Sequence, residues 1–363
     1  MIRCLVVDDS RAFRAVLRRI LACAPGVEVV GEASDGREAV SLVRALRPDV
    51  VTMDVRMPNL DGLEALAQIM RSAPTPVVVV SGEAGGPGQN LNLSFRALQL
   101  GAIEVLPKPR DPGTPGFERQ AEAIRQAVRA VAGLVLVGRR RPLPAPAPAA
   151  PNGPAPRRGP REPGGPPPTG VVDAVAIAAS TGGPAALATI LAPLPGDLAV
   201  PVLVTQHIAP GFEGGLARWL GGVTRLDVKL AEDGEPLAPA TVYLAKDGRH
   251  LGAARRRVRL SDEPPVHGFR PSGTHLFASV AREFGARAAG IVLSGMGSDG
   301  AEGLALVRAA GGYTAAQSAA TSVVFGMPRV ALESGAAAHE LDVEEIPRVI
   351  EALAAGAGGE GGA

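Results

Sequence analysis

A proline-rich segment divides this sequence into two parts that we expect to fold as separate domains. Residues 138–170 hold twelve prolines, six glycines and six arginines in 33 positions. Proline lacks a backbone N–H, and the apolar residues here are mostly alanine, so the segment cannot offset the entropy of ordering. We predict a semi-rigid linker that spans up to roughly 100 Å at the polyproline rise of about 3.1 Å per residue; a ligand for a proline-binding partner is the alternative. With its flanks the linker covers residues 133–170, between domains at residues 1–132 and 171–357.

Composition narrows the class of partner. The formal net charge of +1 leaves no basic surplus to neutralise phosphates, which argues against a nucleic-acid binder. The two cysteines, Cys4 and Cys23, are too few for a disulfide framework or a four-thiolate zinc site. The N-terminus lacks the apolar run of a signal peptide, and glycine, proline and polar residues interrupt the long uncharged stretches. We therefore expect a soluble, cytoplasmic protein without direct membrane insertion.

The first domain alternates short apolar runs with amphipathic helical patterns. In the first helix, apolar residues recur at helical spacing from Phe13 to Leu21, behind a possible cap at Ser10. Five strands alternating with five helices predict a flavodoxin-like, doubly wound parallel α/β sheet, which binds ligands beyond the carboxyl ends of its strands. The predicted strands cover residues 2–7, 27–31, 50–53, 77–80 and 103–106.

The residues at these carboxyl ends carry the chemistry of the first domain. Asp8 and Asp9 follow the first strand, Asp54 the third and Ser81 the fourth, and Lys108 comes after the fifth. Three carboxylates close together repel one another unless a hard cation joins them, and Mg²⁺ takes oxygen ligands of this kind. A carboxylate neutralised in this way can accept a phosphoryl group, with a hydroxyl and an ammonium stabilising the transferred group.

These residues stand in segments that resemble the receiver domains of two-component response regulators. The segments are Val-Val-Asp-Asp-Ser, Thr-Met-Asp-Val-Arg-Met-Pro-Asn-Leu-Asp-Gly and Leu-Pro-Lys-Pro, within residues 1–132. The resemblance implies that Asp54 takes phosphate from a sensor histidine kinase. It also implies that Asp9, Asp54 and the backbone carbonyl of Arg56 bind Mg²⁺, with Asp8 acting through water.

The same resemblance assigns the remaining receiver residues. Ser81 is the expected switch hydroxyl, and Lys108 is the expected partner of the phosphate. Val105 stands where many receivers have an aromatic switch residue. The usual aromatic flip is therefore not assumed for this chain.

Three polar residues follow predicted strands in the second domain. Ser180 opens a Ser-Thr-Gly-Gly-Pro turn before a helical pattern, which suits a nucleophile beside an oxyanion hole, although such turns more often cap helices or bind phosphate. His207 and Asp299 follow two further strands, so all three residues are expected at one edge of an α/β sheet. This set supports acyl chemistry, with His207 as base and Asp299 as its orienter. The strands are predicted at residues 171–178, 200–205 and 290–293.

Residues 171–355 resemble the catalytic domain of the chemotaxis protein-glutamate methylesterases, the CheB family. The matching segments include Ile-Ala-Ala-Ser-Thr-Gly-Gly-Pro, Thr-Gln-His-Ile-Ala-Pro-Gly-Phe, Phe-Arg-Pro-Ser-Gly-Thr-His-Leu-Phe and Leu-Ser-Gly-Met-Gly-Ser-Asp-Gly. The resemblance implies the triad of Ser180, His207 and Asp299, with the amides of Thr181 and Met296 in the oxyanion hole. Ala179 and Ser298 stand where the family pattern usually has glycine and asparagine. We expect these two departures to affect the rate of the reaction rather than which reaction is catalysed.

Together the two resemblances imply a hydrolase that is gated by its own receiver. Its substrate is expected to be a glutamyl methyl ester on a methylated chemoreceptor, with Mg²⁺ needed for receiver phosphorylation and no cofactor for ester hydrolysis. The same oxyanion chemistry would also allow hydrolysis of receptor glutamine. The alternative is a non-enzymatic, phosphorylation-dependent adaptor, against which the intact triad residues speak.

Overall fold

The computed structural model describes residues 1–82, 91–132 and 171–355, and for residues 91–94 it describes the backbone alone. The predicted linker at residues 133–170 lies outside these ranges, as do residues 356 and 357 at the predicted end of the second domain. No helix within the described ranges combines the length and the apolarity that crossing a bilayer requires.

The first domain is a five-stranded parallel sheet in the order β2-β1-β3-β4-β5. Ser10 caps α1 by accepting a hydrogen bond from the Phe13 amide, and Leu17, Ile20 and Leu21 form the buried face of that helix. The predicted strands are confirmed with shifts of one or two residues at their ends. The elements are β1 Ile2–Val7, α1 Arg11–Ala22, β2 Val27–Ala33, α2 Gly36–Leu46, β3 Val50–Met53, α3 Gly62–Ser72, β4 Val77–Ser81, α4 Leu91–Gln99, β5 Glu104–Pro107 and α5 Pro115–Val131.

The second domain is built on a seven-stranded parallel sheet in the order β14-β13-β12-β6-β7-β9-β8, with a separate hairpin of β10 and β11. Its elements are β6 Ala174–Ala179, α6 Gly183–Leu191, β7 Val202–Gln206, α7 Glu213–Gly221, β8 Asp227–Leu230, β9 Thr241–Leu244, β10 His250–Ala254, β11 Arg257–Ser261, α8 Gly273–Phe284, β12 Ala288–Val292, α9 Ala301–Ala309, β13 Tyr313–Gln317, α10 Met327–Glu333, β14 His339–Leu341 and α11 Ile346–Ala354. The strand order reverses at β6, because β7 pairs on one side of it and β12 on the other. A doubly wound sheet has its ligand crevice at such a reversal.

The two domains pack against each other through α4 and β5 of the first and α6 and α7 of the second. Phe95 on α4 is 2% exposed and lies between two aromatic rings of the second domain. Its ring centroid is 6.4 Å from that of Phe212 and 5.9 Å from that of Trp219, on which it stacks. Burial of one such phenyl ring stabilises the contact by about 1.5–3 kcal/mol. Trp219 is the single tryptophan of the chain, so its fluorescence reports on this interface.

Candidate active site

Ser180 and His207 each come directly after a strand beside the reversal of the sheet, and Asp299 lies in the turn before α9. Ser180 follows β6 and His207 follows β7, and the last residues of those strands, Ala179 and Gln206, are paired. Asp299 lies beyond β12, the strand on the other side of β6. The predicted convergence of the three residues on one edge of the sheet is therefore present.

Asp299 is the most heavily bonded residue of the site. Its Oδ2 lies 2.9 Å from His207 Nε2 and accepts from the Gly273 amide at 2.6 Å. Its Oδ1 accepts from the Ser272 hydroxyl at 2.7 Å and the Thr274 amide at 3.1 Å. Burial alone would raise the pKa of Asp299, but the hydrogen bond and charge of His207, with the donors at the start of α8, hold it well below the usual range. Asp299 is therefore a carboxylate at neutral pH.

The orientation of His207 is fixed by this carboxylate. Because Nε2 contacts Asp299, the neutral ring carries its proton there and leaves the lone pair on Nδ1. That Nδ1 is buried and has no hydrogen-bond partner among the described residues. The structure records no hydrogen bond between the Ser180 hydroxyl and His207, a contact that often tightens only when substrate binds.

Backbone amides are available beside the candidate nucleophile, as the oxyanion-hole expectation requires. In the described part of the chain, the amides of Thr181 and Met296 donate to no backbone or side-chain acceptor. Gly182, at φ 79°, caps α6 in the left-handed region that glycine favours. A Cβ at Gly295 would lie 2.7 Å from the Cβ of Ser180, so the loop that carries Met296 can approach the nucleophile only with glycine at this position.

Two residues of the site have no role in the sequence prediction. Gln206 is 5% exposed, and its Nε2 donates to the carbonyls of Ser180 at 2.9 Å and His207 at 2.8 Å. It thus ties the backbones of Ser180 and His207 together. Ser272 caps α8 and donates to Asp299. The sequence signal for Gln206 is its place at the end of a strand in which only Thr205 and Gln206 are polar. Ser272 has no sequence signal other than that of a helix cap.

The residues of the first domain that are expected to support phosphorylation also converge. Lys108 Nζ lies 2.6 Å from a carboxylate oxygen of both Asp8 and Asp54, and Asp54 accepts from the Val55 amide at 2.7 Å. Burial would lower the pKa of Lys108, but its bonds to the two carboxylates raise it, so the ammonium is charged. Asp8, Asp9 and Asp54 offer oxygen atoms within 4.8 Å of one another, a set that fits a hard divalent cation.

The other predicted receiver residues lie around this cluster. Ser81 is 1% exposed at the end of β4, and its carbonyl accepts from the Lys108 amide at 3.0 Å. Arg56 is exposed, two residues beyond Asp54. Val105 is 5% exposed and packs in the hydrophobic core, as an aliphatic residue in place of an aromatic one would.

One ionisable group of the first domain reaches the active site of the second. Glu104, at the start of β5, lies beside the side chain of Thr181, the residue after the candidate nucleophile. Its Oε2 is buried without a hydrogen-bond partner in the described ranges. Burial raises the pKa of Glu104 to about 7, although the neighbouring Thr181 side chain opposes the shift.

Comparison with known proteins gives consistent matches across the chain. Residues 175–350 match the family described as CheB methylesterase, and residues 4–114 match the response regulator receiver domain. The chain is 50% identical over 339 residues to protein-glutamate methylesterase/protein-glutamine glutaminase 3 of Anaeromyxobacter dehalogenans strain 2CP-C, with 93% of this chain and 94% of that protein covered. It is 47% identical over 362 residues to protein-glutamate methylesterase/protein-glutamine glutaminase 4 of Myxococcus xanthus strain DK1622, with 99% of this chain and 98% of that protein covered. The chain is also similar to the crystal structure of the Thermotoga maritima CheB methylesterase catalytic domain, at 36% identity and a TM-score of 0.49. The match covers 50% of this chain and 98% of the Thermotoga chain.

Proposed function

This chain belongs to the CheB methylesterase family and carries a response-regulator receiver domain, and we propose that it is a phosphorylation-activated hydrolase of glutamate methyl esters on chemoreceptors. The observation that carries the proposal is the buried contact between His207 and Asp299 at the strand ends beside Ser180. We assign the receiver to residues 1–132, the linker to residues 133–170 and the esterase to residues 171–357.

The reaction follows from the roles of the three side chains. Ser180 Oγ attacks the γ-carbonyl carbon of the glutamyl methyl ester while its proton passes to His207 Nδ1. The amides of Thr181 and Met296 donate to the oxyanion, and Asp299 stabilises the imidazolium. The proton then goes to the methoxide oxygen and methanol leaves. Water, deprotonated by His207, attacks the acyl-serine and releases the free glutamate and Ser180.

Receptor glutamine is a second substrate that the same site supports. The two relatives described above are also named as protein-glutamine glutaminases. An amide carbonyl would use the same nucleophile and oxyanion donors, with ammonia leaving in place of methanol. No further catalytic group is needed.

A methanol-release assay tests the proposed function. Methylated receptor is incubated with the full chain, with and without a small phosphodonor, and methanol is measured over time. We expect release that depends on this protein and increases with the phosphodonor. A non-enzymatic adaptor would bind the receptor and release no methanol, and mass spectrometry would detect no acyl group on Ser180.

In the receiver, we propose Asp54 as the acceptor of phosphate from a histidine kinase. Asp9, Asp54 and the carbonyl of Arg56 would hold Mg²⁺, with Asp8 acting through water. When bound, the ion neutralises charge on the carboxylates and on the incoming phosphoryl group. Lys108 holds its ammonium against Asp54, and Ser81 supplies a hydroxyl at the adjacent strand end.

We further propose that the unphosphorylated receiver restricts the esterase through the interface around Phe95 and Glu104. The contact between Glu104 and Thr181 brings the receiver to within one residue of the nucleophile. A phosphoryl group on Asp54 would draw the ammonium of Lys108, which directly follows the strand that carries Glu104, from the carboxylate to the phosphoryl oxygens. Such a change can shift the population towards an open arrangement.

The Asp54→Asn variant should lose the response to a phosphodonor. We expect its basal methanol release to equal that of the wild type, whereas phosphorylation should stimulate the wild type roughly 5- to 150-fold, the range of ordinary coupling energies. The variant should still fold, because Lys108 keeps its ion pair with Asp8. Trp219 emission provides a second measurement, and it should change with phosphodonor in the wild type alone. Equal stimulation of both proteins would contradict this gating role.

The pH dependence of basal activity should contain a contribution from Glu104. The carboxyl is expected to regain its ordinary pKa in water when the domains separate, so the packed arrangement, with a pKa of about 7, binds the proton more tightly. Packing is therefore favoured at low pH and is weakened as the pH rises through that value. No charged group contributes to this shift, and the neighbouring strand β4 has no Asp, Glu, His, Lys or Arg.

The Glu104→Gln variant measures this contribution, because glutamine resembles the protonated acid at every pH. The quantity of interest is the ratio of wild-type to variant methanol release without phosphodonor, because contributions common to both proteins cancel in it. It should rise by at least about tenfold between about pH 5.5 and pH 8, because one pKa unit corresponds to about a factor of ten. Glu118→Gln, at an exposed carboxylate on α5, serves as the control. A constant ratio would remove Glu104 from the gating mechanism.

A further inference from the structure

An aromatic ring lies flat against the base of the candidate triad. The centroids of Phe269 and His207 are 4.1 Å apart, and their planes differ by 1°. The imidazole is mostly buried, with 11% of its side chain exposed, whereas Phe269 is 38% exposed. Phe269 thus stands at the mouth of the site with one face against His207.

The backbone around Phe269 holds its ring in place without help from the imidazole. The amides and carbonyls of Val266 and Phe269 exchange two hydrogen bonds of 3.0 and 2.9 Å, which close a tight turn. His267 at φ 50° and Gly268 at φ 85° are both in the left-handed region, as a type I′ turn requires. The next residue, Arg270, donates to carbonyls of the preceding loop. The ring is therefore carried by a locally braced turn.

This ring supplies a restraint that Asp299 does not. One hydrogen bond from Nε2 leaves the imidazole able to tilt out of its plane about that bond. A flat surface in van der Waals contact opposes such tilting, and it thereby holds the Nδ1 lone pair at a constant angle. When His207 takes the serine proton, the negative face of the phenyl ring also stabilises the imidazolium.

We propose that Phe269 is a positioning residue that holds His207 in the orientation needed to accept the proton of Ser180. The proposal rests on the proposed function only for the roles of Ser180 and His207. It does not depend on which ester or amide is the substrate.

Three substitutions separate the flat face of the ring from its volume. Phe269→Tyr keeps a flat ring, Phe269→Leu keeps an apolar side chain without one, and Phe269→Ala removes the contact. We expect kcat for methanol release to fall about tenfold in the Leu and Ala variants at unchanged KM, with the Tyr variant within about twofold of the wild type. A rise in KM at constant kcat, or a Tyr variant as slow as the Ala variant, would overturn the proposal.

Labelling of Ser180 by a fluorophosphonate tests the proposal without any receptor. In this reaction the Ser180 Oγ–P bond forms, the P–F bond breaks, the serine proton passes to His207 and fluoride leaves. The labelling rate should follow the same order as kcat, and equal rates in all variants would contradict the positioning role. If the wild type is labelled with this dependence on Phe269 but releases no methanol, the proposed substrate is wrong and the present inference stands.

The structure offers a matched control for the loss of an aromatic–histidine stack. Tyr313 stacks on His339 with centroids 4.8 Å apart and planes 10° apart. These residues begin β13 and β14, at the opposite edge of the sheet from the triad. Tyr313→Ala should leave kcat and the labelling rate unchanged. Thermal unfolding of each variant shows that the comparison is made between folded proteins.

Discussion

Replacing Ser180 by alanine should reduce kcat for methanol release by on the order of 10⁶, the loss found when the nucleophile is removed from a serine triad. Alanine lacks the Oγ that forms the acyl-enzyme. The substitution removes only the Ser180 hydroxyl, which makes no hydrogen bond to His207 in the structure. The backbone contacts at this position, from the Ser180 amide to Ser294 and from Gln206 to the Ser180 carbonyl, remain.

The Ser180→Ala substitution should therefore affect neither the fold nor the restriction of the esterase by the receiver. Thermal unfolding and the response of Trp219 emission to phosphodonor should match those of the wild type. Ser334→Ala, at an exposed serine at the end of α10, is the control for loss of a hydroxyl in the same domain, and its activity should not change. Methanol release within about tenfold of the wild type by the Ser180 variant would contradict the assignment of the nucleophile.

The architecture of both domains could be predicted from the sequence. Buried parallel strands appear as short apolar runs, and the helices between them appear as apolar residues at helical spacing. For the same reason the positions of Ser180 and His207, one residue beyond their strands, followed from the pattern. The ends of strands were less accurate. β5 extends from Glu104 to Pro107, one residue later than predicted, because its pairing with β4 continues to Ser81.

The parts of the site that were missed depend on contacts between distant segments. Ser272 donates to Asp299 across 27 positions of sequence, and no local periodicity encodes that meeting. From the sequence, Glu104 is only a polar residue near the start of a predicted strand. Its contact with Thr181 depends on the packing of one domain on the other. The stack of Phe269 on His207 likewise depends on where the loop before α8 folds back.

Replacement of Asp299 by asparagine should have the second largest effect, a fall in kcat of about 10⁴. Each oxygen of Asp299 accepts two hydrogen bonds, and the four donors are His207, Ser272, Gly273 and Thr274. Asparagine has one such oxygen, so its NH₂ must face either Gly273 and His207 or Ser272 and Thr274. On the His207 side the NH₂ would donate to Nε2, the ring proton would move to Nδ1, and the base would lose its lone pair.

The opposite orientation of the asparagine is also costly, because the NH₂ group would then face the Thr274 amide. In either orientation one backbone N–H at the start of α8 loses its acceptor, which should lower the free energy of unfolding by about 1–3 kcal/mol. The pKa of Asp299 is depressed, so its carboxylate stabilises the fold at neutral pH, and this stabilisation is lost as the pH falls below the ordinary value of 3.8. The difference in unfolding free energy between wild type and variant should therefore shrink in acid.

Two measurements distinguish this account of Asp299 from a general loss of structure. Chemical denaturation at neutral and acidic pH gives the difference in unfolding free energy, and fluorophosphonate labelling gives the reactivity of Ser180 in the folded variant. We expect slow labelling even where nearly all of the variant is folded. Asp262→Asn, at an exposed carboxylate paired with Arg249, is the matched control and should change neither quantity, because that side chain meets solvent and touches no member of the triad. Labelling of the Asp299 variant at the wild-type rate would show that His207 keeps its tautomer without the carboxylate, and Asp299 would then be a structural residue of the α8 terminus.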